Sequence, residues 1–151
     1  MTKKLGLGVL GVGEMGRRHA ENLRRLVPNA QLVAVADALE ERARQVAGEL
    51  EIEKSFGSIE AMLECKGIDA VIIATPDAFH APAVGAAAAA GKAILCEKPL
   101  ALNLADARNA LAAATKHKVY FQVGFMRRYD PAYSAAMKRI KGKGTMVTKL
   151  P

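Results

Sequence analysis

The stretch Leu7-Gly8-Val9-Leu10-Gly11-Val12-Gly13-Glu14-Met15-Gly16 leaves this chain few folds to choose from: a short apolar run, a Gly-x-Gly-x-x-Gly turn, then the start of a helix-like segment. Gly11 permits a tight bend, Gly13 removes the Cβ that would hold a pyrophosphate away from the backbone at Val12 and beyond, and Gly16 lets the helix pack closely on the strand. Phosphates would then sit on the helix N-terminus, held by the free N–H groups of Glu14 and Met15 and by the positive end of the helix dipole. The side chain of Glu14 is expected to turn outward.

Glycine-rich turns are common, so the context matters. A second apolar run, Leu32-Val33-Ala34-Val35-Ala36, ends in Asp37. An acid about 20 residues past the last glycine is where a dinucleotide fingerprint places the partner of the adenosine ribose hydroxyls. The other reading of Asp37 is an N-cap for the helix that starts near Leu39.

Strands are expected over 5–10, 31–36, 54–56, 70–74, 92–96 and 119–123. Helices are expected over 14–27, 39–50, 58–64, 78–90, 103–117 and 131–140. The strands are continuous apolar runs such as Ala70-Val71-Ile72-Ile73-Ala74, as in strands buried on both faces, and they alternate with helices. That order predicts a Rossmann-type, doubly wound parallel α/β sheet in a single domain over residues 1–140, followed by a basic, flexible tail over 141–151. Helix ends have local causes: Pro28 and Asn29 stop the first, Gly91 stands where a C′ residue belongs, and Asn103 is placed to cap with Asp106 three residues on.

The net charge of +7 raises the question of nucleic acid, but residues 138–151 hold five Lys or Arg and no acid, leaving 17 basic against 15 acidic groups before them. Aromatics are only 5% and no zinc or RNA-binding pattern occurs, so no nucleic-acid partner is expected. Ala81–Gly91 is too short to span a bilayer, and glycines interrupt the apolar run after Lys3 and Lys4, so the reading is a cytoplasmic chain without a membrane partner. Cys65 and Cys96 have no metal-site spacing and read as reduced thiols. His19 falls in phase with Met15, Leu23 and Leu26, which points to packing, and the pairs Arg17-Arg18 and Arg24-Arg25 read as solvated surface.

In an open α/β sheet, ligands gather outside the carboxyl ends of the strands, where Ala74-Thr75-Pro76 and Glu97-Lys98-Pro99 both fall. Alternation along a strand turns Glu97 and Lys98 to opposite sides, so Lys98 can face a cofactor; a partly dry site beside a positive nicotinamide disfavours a charged lysine and suits proton transfer. A surface lysine in a Pro-terminated strand is the equal alternative at this stage.

With the turn running on to Arg17-Arg18-His19, the box from Ala74 to His80, the box from Cys96 to Leu100, and Gly124-Phe125-Met126-Arg127-Arg128-Tyr129-Asp130-Pro131, residues 5–140 resemble the N-terminal domain of the glucose-fructose oxidoreductase and inositol dehydrogenase family. The resemblance implies reversible oxidation of a sugar or polyol hydroxyl by NAD or NADP. It implies that Lys98 is the catalytic lysine, that Glu97 and the Thr75-Pro76 turn lie beside the nicotinamide, that Arg127 lies near the cofactor or substrate cleft, and that His80 packs by the cofactor site rather than binding metal. NAD is expected over NADP, because Asp37 would repel a 2′-phosphate, although Arg42 and Arg44 soften that preference.

In the family, further catalytic residues, most substrate contacts and the oligomer interface belong to a second domain, which is not recognisable in this sequence. The chain is therefore expected to bind the dinucleotide without turning over a sugar or polyol by itself. The face near Phe125, Met126 and Tyr129 is open to self-association. The reading from a different class is a non-catalytic dinucleotide-binding module that acts through a partner.

Overall fold

A computed structural model describes residues 4–142. Six strands form one parallel sheet: β1 (Leu5–Leu10), β2 (Ala30–Ala36), β3 (Lys54–Phe56), β4 (Ala70–Ile73), β5 (Ala93–Cys96) and β6 (Phe121–Val123), in the order β3-β2-β1-β4-β5-β6. The helices are α1 (Glu14–Leu26), α2 (Glu40–Glu49), α3 (Ile59–Leu63), α4 (His80–Ala89), α5 (Leu104–Lys116) and α6 (Pro131–Gly142). This is the doubly wound fold expected. The chain reverses direction across the sheet between β1 and β4, which opens a crevice at their carboxyl ends.

The apolar runs divide between two cores because successive strand residues face opposite ways. Val9, Val35, Ala70 and Ile72 pack with Ala20 and Leu23 of α1 and Ala43, Val46 and Ala47 of α2. Leu10, Ala34, Val71, Ile73 and Ile94 pack with Met62 of α3 and Ala83, Val84, Ala87 and Ala88 of α4. Small side chains on α4 let it lie close to both the sheet and α5. Among the described residues no helix is long and apolar enough to cross a membrane.

Several boundaries differ from expectation. The segment expected to open the fourth helix forms a separate 3-10 turn, Asp77–Phe79, and α4 itself starts at His80. β6 begins at Phe121 rather than 119, because the chain leaves α5 through Lys118 at φ +54° and Val119 N–H bonds back to the Ala114 carbonyl. A further 3-10 turn, Met126–Arg128, was not expected, and α6 runs two residues past Ile140. The remainder of the expected tail, 143–151, lies outside the described residues. Arg17 and Arg24, seven residues apart on one side of α1, are more than solvated surface: Arg17 pairs with Glu21 and Glu49, and Arg24 with Glu51 and the Leu50 carbonyl.

Asn103 caps α5 as its sequence position indicates, its side-chain oxygen accepting from Asp106 N–H at 2.9 Å. Beyond the C-termini of α2, α4 and α5 the chain enters the left-handed region at Glu51 (φ +53°), Gly91 (φ +70°) and Lys118 (φ +54°), but only the second is a glycine. Lys118→Gly is therefore expected to raise stability by about 0.5–1 kcal/mol, less than the full left-handed penalty because glycine also loosens the unfolded chain. The midpoint and slope of urea unfolding measure it, and an unchanged or lower midpoint would contradict this account.

Candidate functional site

The carboxyl ends of the strands set the candidate residues in one row. Ladder hydrogen bonds run one step past the strands: Asp37 N–H to the Phe56 carbonyl, Gly11 to Ala36, Ala74 to Leu10, Glu97 to Ile73 and Gly124 to Cys96, at 2.7–3.1 Å. Beneath the row from Asp37 to Pro76 opens a cavity of about 700 Å³, lined by Gly11, Gly13, Glu14, Met15, Asp37, Ala74, Thr75 and Pro76. Leu39, Ser58, Ile59 and Phe79, which the sequence does not single out, also line it. Leu39 and Phe79 are 59% and 61% exposed, and no local spacing in the sequence marks them as cavity residues.

The three glycines do three jobs. Gly11 has φ +80°, and a Cβ there would come within 2.7 Å of the Ala74 carbonyl oxygen and Thr75 nitrogen. At Gly16 a Cβ would overlap the Gly11 carbonyl oxygen at 1.7 Å, so that glycine is what lets α1 rest on the turn. Nothing lies within 4 Å of a Cβ built on Gly13, where a side chain would fill the cavity instead of meeting protein. Gly13 is also the N-cap of α1 and has no side chain to bond the first-turn N–H groups, which leaves them for an anion.

Asp37 is 6% exposed, and its carboxylate already accepts two backbone hydrogen bonds, from Val12 N–H to Oδ2 and from Leu39 N–H to Oδ1, each 2.9 Å. It therefore ties the glycine turn to the segment before α2, but the N-cap of that helix is Leu39, without a side-chain cap bond, so Asp37 is not its cap. Oδ1 keeps a further lone pair for another donor, while Oδ2 also faces Arg42. Arg42 Nη1 stands 3.5 Å from Oδ2 and lines the cavity, whereas Arg44 is engaged by Glu40 and Glu41. Thr75 Oγ1 is buried with no hydrogen-bond partner, a cost that a ligand group in the crevice would remove.

The second group lies at the ends of β5 and β6. Lys98 is exposed. Glu97 turns toward the protein: Oε1 is 2.8 Å from His19 Nε2 and Oε2 accepts from Lys98 N–H at 3.3 Å. His19 does face the sheet, as its phase requires, but its partner is a carboxylate rather than an apolar neighbour, which corrects the packing expectation. His80 is 1% exposed, with Nδ1 2.6 Å from the Pro99 carbonyl oxygen and Nε2 2.8 Å from that of Thr75. Burial, and to a lesser degree the neighbouring Glu97 charge, pushes the Cys96 thiol up to about 12, so it is no nucleophile at neutral pH. Arg127 does not join the cavity: its Nη1 donates to the Tyr133 hydroxyl at 2.6 Å, and the guanidinium lies 4.7 Å from that ring's centre.

Residues 5–125 match the profile of an oxidoreductase family described by its NAD-binding Rossmann fold. The chain is 48% identical over 140 residues to scyllo-inositol 2-dehydrogenase (NAD(+)) of Bacillus subtilis, covering 93% of this chain and 41% of that protein. It is 42% identical to an inositol 2-dehydrogenase of Rubrobacter xylanophilus, over 92% of this chain and 40% of that one. The crystal structure of scyllo-inositol dehydrogenase from Lactobacillus casei with bound NAD(H) and scyllo-inositol superposes with a TM-score of 0.87 at 31% identity, covering 94% of this chain and 42% of that one. The chain spans about two fifths of the length of the curated relatives it matches.

The contrast between two glycines gives a test. Gly13→Val is expected to leave the urea midpoint nearly unchanged while weakening NADH binding at least about ten-fold, since the new side chain enters only the open cradle. Gly16→Ala is expected to cost about 1–3 kcal/mol of stability through its clash with the Gly11 carbonyl. Equal stability losses in the two variants would refute the assignment.

Proposed function

The chain belongs to this oxidoreductase family, as an NAD-binding Rossmann domain, and from that premise we propose that it serves the oxidation of a hydroxyl group on a cyclic polyol or sugar, with Lys98 as the residue that moves the proton. The observation that carries the reading is the open cradle at Gly13 over the uncapped start of α1, in one row with the strand end that bears Lys98. The residues present fit a dinucleotide: free N–H groups for the pyrophosphate, Asp37 for the adenosine ribose, and the orphaned Thr75 hydroxyl inside the crevice.

When bound, the nicotinamide supplies the hydride acceptor. Lys98 Nζ would take the proton from the hydroxyl oxygen as the carbon that bears it gives up its hydride and becomes a carbonyl, and in the reverse direction would return that proton. Gly11, Val12, Gly13, Glu14, Met15 and Gly16 seat the phosphates. Ala74, Thr75 and Pro76 wall the crevice between the phosphates and Lys98. Glu97 and His80 serve the site from behind, and Arg127 reaches it only if it leaves Tyr133. The expected substrate class follows the inositol dehydrogenases among the relatives, and the remaining substrate contacts are assigned to sequence corresponding to the rest of those longer proteins.

NAD is proposed over NADP. A 2′-phosphate would meet the buried Asp37 carboxylate, although Arg42 at the cavity rim offsets part of that repulsion. Fluorescence titration is expected to give NADH at least about ten-fold tighter binding than NADPH. Tighter NADPH binding would reverse the assignment.

In a two-domain form that turns over a polyol, Lys98→Met is expected to lower kcat by about 100-fold or more with much less change in NADH affinity, because it keeps most of the side-chain volume and removes the proton carrier. Steady-state kinetics with direct titration decide it, and near-normal kcat would reduce Lys98 to a surface residue.

A further inference from the structure

Lys98 is exposed, yet the residue on each side of it is gripped by a histidine from a different helix. On one side, His19 of α1 holds Glu97 Oε1 at 2.8 Å, and the other carboxylate oxygen accepts the Lys98 N–H at 3.3 Å. The carboxylate lies against Gly124 of the next strand end, where a Cβ would come 3.3 Å from Oε2, so the missing side chain there is what leaves Glu97 its place. On the other side, His80 of α4 bridges the Pro99 carbonyl at 2.6 Å and the Thr75 carbonyl at 2.8 Å.

We infer that His19 and His80 are a pair of positioning residues that fix the backbone of Lys98 between the phosphate-binding helix and the Thr75 crevice wall. The inference rests on the reading of Lys98 as the proton carrier. His19 lies one turn after Gly16, the residue whose missing Cβ lets α1 rest on the glycine turn, so the seat of the phosphates and the base of Lys98 belong to one continuous set of contacts. His80 does the same from the opposite face, joining the loop after β4 to the loop after β5. Neither histidine contacts the part of the cavity near Asp37, so the adenosine end does not depend on them.

The test uses His19→Leu, His19→Gln and His80→Leu. In the cofactor-free chain, nitrogen-15 relaxation is expected to show the Lys98 amide as rigid as β5 in the wild type and in His19→Gln, whose amide N–H still reaches Glu97, and mobile in both leucine variants. Binding supplies the second readout: the leucine variants should bind NADH about ten-fold more weakly while binding ADP-ribose within about two-fold of the wild type, as expected for loss of hydrogen bonds at the nicotinamide end alone. A Lys98 amide that stays rigid in His19→Leu, or a parallel loss of NADH and ADP-ribose affinity in a folded variant, overturns the inference. If His80→Leu fails to fold, the partly exposed His19 pair of variants decides it. A wild-type chain that binds neither ligand would instead overturn the dinucleotide reading, and the relaxation data would still judge the positioning of Lys98.

Discussion

Three backbones converge on Gly11 with no space for a side chain between them. Its own Cβ would strike the end of β4 at Ala74 and Thr75, and the Cβ of Gly16 would strike the Gly11 carbonyl. This contact sets the height of α1 over the sheet, and much else follows from that height. It aims the uncapped first turn at the crevice, brings Ala20 and Leu23 into the core with Val9, and carries His19 to within a hydrogen bond of Glu97. The close approach is steric rather than attractive in origin, which is why it tolerates so little substitution.

Polar groups at the site are held in the same indirect way. Asp37 spends two acceptor positions on the backbone before any ligand arrives, Glu97 spends its carboxylate on His19 and the Lys98 amide, and His80 spends both ring nitrogens on carbonyls. Such prior engagement keeps the acid and the lysine from reorganising when a ligand binds. By contrast, the first turn of α1 has no side-chain cap, Thr75 Oγ1 is buried without a hydrogen-bond partner, and Lys98 is exposed.

The sheet was readable because strands buried on both faces must be apolar throughout, and Ala70 to Ile73 is apolar at every position. The glycine turn and its distance to Asp37 were equally plain, being local spacings. What escaped was decided across distance. The phase of His19 correctly turned it to the sheet, but Glu97 is 78 residues away, and no periodicity announces a partner at that separation. Arg127 is held by Tyr133, a pairing six residues along that depends on the unexpected 3-10 turn at Met126–Arg128. The left-handed helix exits at Glu51 and Lys118 carry no glycine to mark them, unlike the exit at Gly91.

An uncapped helix start does not discriminate among anions. If the N–H groups that Gly13 leaves uncapped over α1 seat a pyrophosphate as proposed, they would also accept other compact, multiply charged oxyanions, since the adjoining crevice is open at Gly13. Sulfate and inorganic phosphate in a buffer would then compete with a dinucleotide for that proposed seat. An affinity measured in phosphate at fixed pH is the difference between two occupancies of one seat, and it approaches the intrinsic value only as the oxyanion is diluted away.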